Sequence, residues 1–423
     1  MFNYKERQYI FKQSSGRIWN FFLDSNHRLY CCSLGKRNSW SEPFPIYKET
    51  VIEFSVDIDD SDIFHIVFQN SLGNILYLIF DCKNNQKSLK GPIILLENKK
   101  HEVYHKYITT LVTKTALHIF FIINHEGKKV LSHQLVREGI PMNPAAISIV
   151  SAEPEIPYFC IETNSSLHVF FYKCDKLPGI YYSKYIEISN NWAEKLQIPY
   201  TDKITSFFLT KSTDNFIHII ITKPADSNTS DNSVSNAFNL HYSQKPHDRP
   251  EWSSFTDICT HYSDDKAGII TSEGKPLIFM CGNNGIYEFT TNDNGLSWSK
   301  QNKYPFNYGR HIICVTYKSN QQSEKSIFHG QFLPAAFVNG IKLAFYKEPT
   351  TLNPSPAPAD LRDIILESLA LMKEELDLLN ERQQSLESDY SKLSRLSAHI
   401  EKSFEKLEIR LKYLEKNFNI KSL

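Results

Sequence analysis

One phrase, a histidine set inside an apolar run, occurs four times: DIFHIVF around His65, ALHIFFI around His118, SLHVFFY around His168 and FIHIIIT around His218, at intervals of 53, 50 and 50 residues. A self-similar period of this size belongs to chains in which one supersecondary unit is repeated and stacked, and it narrows the choice of fold more than any local propensity does. Each phrase is followed by turn residues and a second apolar strand: SLGNILYLIF, HEGKKVLSHQL, KLPGIYYSKY and NAFNLHYSQ in turn. The unit is strand, turn, strand.

Three further segments fit the frame, beginning GRIWNFFLDSNHRLYCCSL at Gly16, GKPLIFMCGNNGIYEFTT at Gly274 and KSIFHGQFLPAAFVNGIKLAFYK at Lys325; the histidine slot then holds Asn20, Leu277 and His329. The strands are short, rich in β-branched and aromatic residues and bounded by Gly, Asn, Asp and Ser, with no helical period before residue 358. Small antiparallel sheets repeated radially make a β-propeller, whereas a pair of sandwiches would not impose a period near 50. The expected fold is all-β, a seven-bladed propeller over residues 1–347, with six blades as the alternative because the first and last units are irregular. A tryptophan closes several units (Trp40, Trp192, Trp252 and Trp298) and is expected to fasten an outer strand.

On a strand the histidine points away from both its neighbours, so His118 shares a face with Phe120 while Leu117 and Ile119 share the other. Two readings follow for His65, His118, His168, His218 and His329. In the structural one the ring bonds a backbone carbonyl of the adjacent blade. In the functional one the rings gather around the central channel and bind a metal, an anion or a sugar. No carboxylate or thiolate recurs beside these positions, so no metal set is assigned.

At Thr291 the sequence reads TNDNGLSW. Thr291, Asp293, Gly295 and Trp298 resemble the Asp-box of sialidase-like propellers, a folding motif in which an aspartate accepts turn N–H groups, a glycine takes positive φ and a tryptophan packs on the sheet. The resemblance implies a propeller, with the box at its rim and away from any central site. It also implies what an active sialidase would need: an arginine cluster, a tyrosine nucleophile paired with a glutamate, and an acid/base aspartate. The propeller region has seven scattered arginines, and its early Arg17-Ile18-Trp19 meets the family's Arg-Ile-Pro signature only in part. No catalytic residue is assigned, and no phosphate loop, metalloprotease helix, nucleophile elbow or cofactor motif is present. Asp59, Asp60, Asp264 and Asp265 read as solvated turn carboxylates.

Lys plus Arg and Asp plus Glu both number 47, which argues against a broad cationic surface for nucleic acid. The N-terminal segment lacks the apolar stretch of a secretory signal, no apolar run is long enough for a membrane span, and the eight cysteines form no Cys-x-x-Cys pair. A cytoplasmic location is expected, with the thiols free.

The pattern changes at EPTTLNPSPAPAD, a proline-rich linker over residues 348–360. From residue 361 to 423 a heptad stripe runs without glycine or proline, through Ile365, Leu369, Met372, Leu376, Leu379, Leu386, Leu393, Ile400, Leu407, Leu411 and Leu414. Such a seam predicts a long α-helical coiled coil that joins copies of the chain into a homo-oligomer. The expected function is a non-enzymatic binding or scaffold protein, its propeller heads taking a glycan or protein ligand and multiplied by the coiled coil. The alternative is a carbohydrate-active enzyme with a divergent sialidase-like site.

Overall fold

The computed structural model describes residues 7–343 apart from 36–39, 84–85, 99–105, 152–155, 164–165, 175–176, 201, 226–236, 263–265, 283–284, 305–311, 326–327, 330–332 and 338–340, and beyond them residues 383, 394, 397 and 401–412. The chain divides into two compact units, Met1–Tyr346 and Lys347–Leu423. No helix among the described residues is long and apolar enough to cross a membrane.

The first unit is mostly β, and its described strands form six sheets in a propeller arrangement. Each histidine phrase is the second strand of a blade: Phe64–Asn70 in blade 2, Leu117–His125 in blade 3, Ser166–Lys173 in blade 4 and Phe216–Pro224 in blade 5. The first strands of these blades are Val51–Ile58, Lys106–Val112, Phe159–Thr163 and Ser206–Lys211. Blade 6 begins with Lys266–Ser272 and Lys275–Gly282. Both faces of a blade meet neighbours, so residues of both parities are buried in the second strands: Ile119, Phe120 and Phe121 are all at 0% exposure.

Among the described residues, seven separate blades do not form. The last strands, Ile312–Ser319, Leu333–Phe337 and Ile341–Leu343, make an antiparallel meander whose first member pairs in parallel with the N-terminal strand Tyr9–Lys12. Tyr9–Lys12 in turn pairs antiparallel with Ile18–Leu23, so the expected first and seventh units merge into one seven-stranded sheet. The physical reason is that Tyr9–Lys12 has two open edges and fills both, one with each terminal unit. His329 lies in the short strand Phe328–His329, which pairs with the end of Lys266–Ser272 rather than serving as a blade's second strand.

Polar contacts fix this seam. Lys12 and Glu324 form a buried ion pair, and Glu324 also accepts the Tyr317 hydroxyl at 2.7 Å. Asn320 Nδ2 donates to Asp59 O at 2.6 Å and Asp62 Oδ1 at 2.9 Å, while the Ser14 N–H donates to the Asp62 carboxylate at 3.0 Å. Around them the core of blades 1 and 2 is a herringbone of rings, Phe21 to Phe64 at 4.9 Å and Trp19 to Phe80 at 5.4 Å between centroids. Each ring so buried contributes about 1.5–3 kcal/mol.

Three of the four closing tryptophans reach the preceding blade, while Trp40 forms an isolated bridge with Leu34 of its own blade. Trp192 of blade 4 packs edge-on to His133 of blade 3 at 5.3 Å, and Trp298 of blade 6 packs on Tyr242 of blade 5 at 4.8 Å. Trp252 of blade 5 approaches Phe170 of blade 4 at 6.5 Å, with the Lys245 ammonium 4.6 Å from the Tyr182 ring and 5.8 Å from Trp252.

The turn before Trp298 is locally self-sufficient. Asp293 accepts the Ser297 N–H at 2.8 Å, Thr291 Oγ1 accepts the Gly295 N–H at 2.8 Å, and Trp298 Nε1 donates to Gly295 O at 3.2 Å. Hydrogen bonds from Ser297 hold the Asp293 carboxyl at about 2, below the usual carboxylate range. Gly295 sits at φ +90°, and a Cβ there would lie 2.1 Å from Tyr242 Cε1.

The described helix of the second unit is residues 401–412, exposed throughout. Leu407 and Leu411 of the expected seam fall in it, whereas Ile365, Leu369, Met372, Leu376, Leu379, Leu386, Leu393, Ile400 and Leu414 lie outside the described residues. A coiled coil over 361–423 is therefore not shown.

Gly295→Ala combines left-handed strain with a clash against a buried ring, and is expected to destabilise the propeller by about 2 kcal/mol or more. Thermal unfolding of the variant checks this; an unchanged melting temperature would show that the turn tolerates a side chain.

Candidate functional site

The first strands of the blades surround a cavity of about 1490 Å³. Strand register places one residue of each first strand at a common level, opposite the residue that precedes the histidine slot. The pairs are Phe11 with Trp19, Ile58 with Phe64, Val112 with Leu117, Glu162 with Leu167, Lys211 with Ile217 and Thr271 with Pro276. Lys318 stands beside Phe11 in the parallel seam and so joins the same level. Of these seven, all but Thr271 line the cavity. The level is two-sided: Phe11, Ile58 and Val112 come from blades 1 to 3, and the charged and hydroxyl groups come from blades 4 to 6 and the last strand.

The cations have few partners. Lys211 Nζ donates to the backbone carbonyl of Glu162, and Thr271 Oγ1 donates to Lys211 O at 2.9 Å. Lys318 Nζ donates to Asp57 Oδ1 at 2.7 Å and Ile58 O at 3.1 Å. Burial pushes the Glu162 carboxyl up, against the opposing pull of the Lys211 and Lys318 ammonium groups. Burial likewise lowers Lys211, with Glu162 acting against it.

Asp57 belongs to a second device. In Val51–Ile58 the polar residues Glu53, Ser55 and Asp57 alternate with Phe54, Val56 and Ile58, and alternate residues share a face. That face meets the first strand of blade 3: Glu53 accepts the N–H groups of Tyr107 at 2.9 Å and Ile108 at 3.0 Å, Ser55 Oγ accepts Thr110 N–H at 2.9 Å, and Asp57 Oδ2 accepts Val112 N–H at 2.7 Å. Side chains thus pair backbone donors that no strand reaches. The alternation is visible in VIEFSVDI and is the signal that could have identified it.

The repeated histidines sit within blades. Each faces a third-strand residue two positions before its direct partner. His65 Nδ1 lies 2.6 Å from the Tyr77 hydroxyl, His118 Nδ1 3.0 Å from His133 Nε2 and His218 Nδ1 2.8 Å from the Tyr242 hydroxyl. The other ring nitrogen turns to the preceding turn, at Asp59 (3.3 Å), Thr113 (3.4 Å) and Ser212 (3.0 Å) respectively. In blade 4 the corresponding residue is Tyr182, and His168 Nδ1 has no hydrogen-bond partner. The ring partners are therefore side chains of the same blade, not backbone carbonyls of the adjacent one. His65 borders the channel cavity; His118, His168 and His218 do not.

Tautomers in blade 3 follow from the tryptophan. Trp192 Nε1–H donates to His133 Nδ1 at 3.3 Å, so His133 carries its proton on Nε2 and donates to His118 Nδ1. His118 then donates from Nε2 to Thr113 Oγ1. Burial holds His118, His168 and His218 at about 4 and His133 at about 3, against an ordinary 6.5. All four are neutral rings in the folded protein at neutral pH.

Other expected chemistry is dispersed. Arg7 reaches the cavity and donates to Ile108 O at 3.2 Å, but Arg17 lies over the Trp19 ring at 4.8 Å and Arg137 bonds Asn190 at 2.7 Å. No arginine cluster assembles among the described residues. These residues also contain no group of three His, Cys, Asp or Glu side chains arranged to hold a metal ion. Asp59 is not a bare loop carboxylate, since it accepts the N–H groups of Ser61 at 2.8 Å and Ile63 at 2.9 Å as well as facing His65.

Among solved structures, an ulvan lyase of polysaccharide lyase family PL25 aligns over 78% of this chain and 89% of its own, with TM-score 0.53 and 12% identity. The BP39L lectin from Burkholderia pseudomallei aligns over 69% of this chain and 80% of its own, with TM-score 0.50 and 11% identity. At these identities the likeness establishes the fold alone. No protein-family model and no curated protein matches the sequence.

Stability is expected to fall as pH drops from 6.5 toward 4. Below 6.5 the unfolded chain protonates these histidines while the folded one does not, so each costs roughly 1.4 kcal/mol per pH unit across that window. Melting temperatures measured from pH 7.5 to about 4.5 check the slope. His218→Gln should flatten it, and an unchanged slope would overturn the burial account.

Proposed function

We propose that this chain is a carbohydrate-binding propeller that performs no chemistry of its own, its heads joined through the C-terminal segment. The observation that carries the reading is the channel: a cavity of about 1490 Å³ with apolar and aromatic walls, including Tyr9, Phe11 and Phe208, and a few converging polar groups at one level. Ligand sites are built this way, with apolar area for affinity and a few placed polar groups for orientation. The volume suits a short oligosaccharide segment. That a lyase and a lectin of the carbohydrate world share this architecture is consistent with the reading.

The TNDNGLSW turn is read as an Asp-box in its folding role, with Asp293 organising the turn and Trp298 stapling blade 6 to blade 5. Residues 348–360 act as the linker and 361–423 as the oligomerisation helix. Within 401–412, Phe404, Leu407 and Leu411 are 68, 60 and 59% exposed at heptad spacing, a stripe that water does not favour.

Two measurements test this. Full-length protein on a glycan array, with released products followed by mass spectrometry, is expected to give binding without turnover. Turnover would favour the carbohydrate-active enzyme instead, and absence of both would overturn the glycan reading. In light scattering the full chain is expected to be a discrete oligomer that dissociates on Leu407→Asp together with Leu411→Asp. A monomeric parent, or an unchanged mass, would sink the assembly model.

A further inference from the structure

The charged level of the channel is not repeated from blade to blade. At positions equivalent by register, blades 1 to 3 offer Phe11, Ile58 and Val112, while Glu162, Lys211, Thr271 and Lys318 follow on blades 4 to 6 and the last strand. A propeller whose ligand sites followed its repeats would carry them in every blade. This set occurs once.

Hydrogen-bonding capacity is left over in it. The Glu162 carboxylate accepts no hydrogen bond from any described residue; only its backbone carbonyl is used, by Lys211. An ammonium has three N–H donors, of which, among the described residues, Lys211 uses one and Lys318 two. The unused groups are thus an acceptor carboxylate and the ammonium donors of Lys211 and Lys318, all three lining the same cavity. Within the cluster the signs are balanced: Asp57 pairs with Lys318, and the Lys211 ammonium sits on the Glu162 backbone carbonyl, giving two acidic and two basic side chains. A set balanced in sign carries no net charge of its own with which to select an anion or a cation. It does match a group that both donates and accepts at two adjacent points.

We infer that Glu162, Lys211 and Lys318 bind the vicinal hydroxyl pair of one neutral sugar per chain, with Phe11, Ile58 and Val112 supplying the apolar wall on the other side of the channel. Each hydroxyl donates to the Glu162 carboxylate and accepts from an ammonium, while the ring's C–H face covers the apolar arc. An anionic sugar gains nothing from a cluster balanced in sign and costs the desolvation of its own carboxylate, so a neutral sugar is preferred. The inference rests on the glycan-binding reading above and narrows it to one site, one ligand class and one stoichiometry.

The experiment is calorimetric titration of the full-length protein with methyl glucoside, galactoside and mannoside, their 3-deoxy counterparts, and methyl glucuronide. At least one neutral pyranoside is expected to bind with one site per chain, and its 3-deoxy counterpart, which lacks a member of either vicinal pair, and the glucuronide at least 10-fold more weakly. Glu162→Gln and Lys211→Met are each expected to weaken binding 10-fold or more at unchanged melting temperature. Should either variant unfold, Lys318→Met, at the more exposed end of the cluster, provides the same comparison. Binding that the variants leave intact, more than one site per chain, or preference for the glucuronide would overturn the inference while leaving glycan binding in place. No binding by any pyranoside, together with a blank glycan array, would remove the broader reading as well.

Discussion

The propeller depends on one parallel contact, that of Tyr9–Lys12 with Ile312–Ser319. Blades stacked side by side leave two exposed faces and two open edges unless the ring closes, and this chain closes it by giving its first strand two partners. The buried Lys12–Glu324 pair and the Asp62 contacts to Ser14 and Asn320 favour this one register. Ions removed from water are tolerated there because each has its counter-charge or hydrogen-bond partner. A misregistered closure would strand them.

Polar side chains elsewhere do two different tasks in the same environment. Between blades 2 and 3, Glu53, Ser55 and Asp57 complete backbone hydrogen bonding that a sheet cannot reach, and their capacity is spent inside the protein. Glu162 and Lys211 occupy related positions two blades on, yet keep groups unspent and pointed at a cavity. The difference between the two sets lies in how much of their hydrogen bonding is satisfied inside the protein, since both are polar residues on first strands. His65, His118 and His218 fall on the scaffold side, their rings tied between a turn and a third strand.

Much of the architecture is legible in the sequence because burial on both faces of a strand leaves a dense apolar run, and the histidine phrase marks that run four times. The merging of the two terminal units was not legible: it depends on a pairing between residue 9 and residue 316 that no local pattern encodes. The channel level was hidden for a similar reason. Glu162, Lys211 and Lys318 are about 50 to 155 residues apart and each looks like an ordinary strand end. Only alignment on the residue opposite the histidine's predecessor brings them to one height. The tryptophans were legible as blade fasteners, but that Trp192 and Trp298 fasten the preceding blade requires the ring itself.

The closing pair also sets a clock. A ribosome adds about 5–20 residues per second, so the roughly 300 residues between the two strands take on the order of 15–60 s to appear. Through that interval Tyr9–Lys12 has only one of its two neighbours, and the apolar edge it offers is a template for any passing strand. Blades 2 to 5 are built from near neighbours in sequence and can form as they emerge, whereas the ring waits for its last segment. The most distant strand pairing among the described residues is thus among the last to be made, and until then the nascent chain is an open arc.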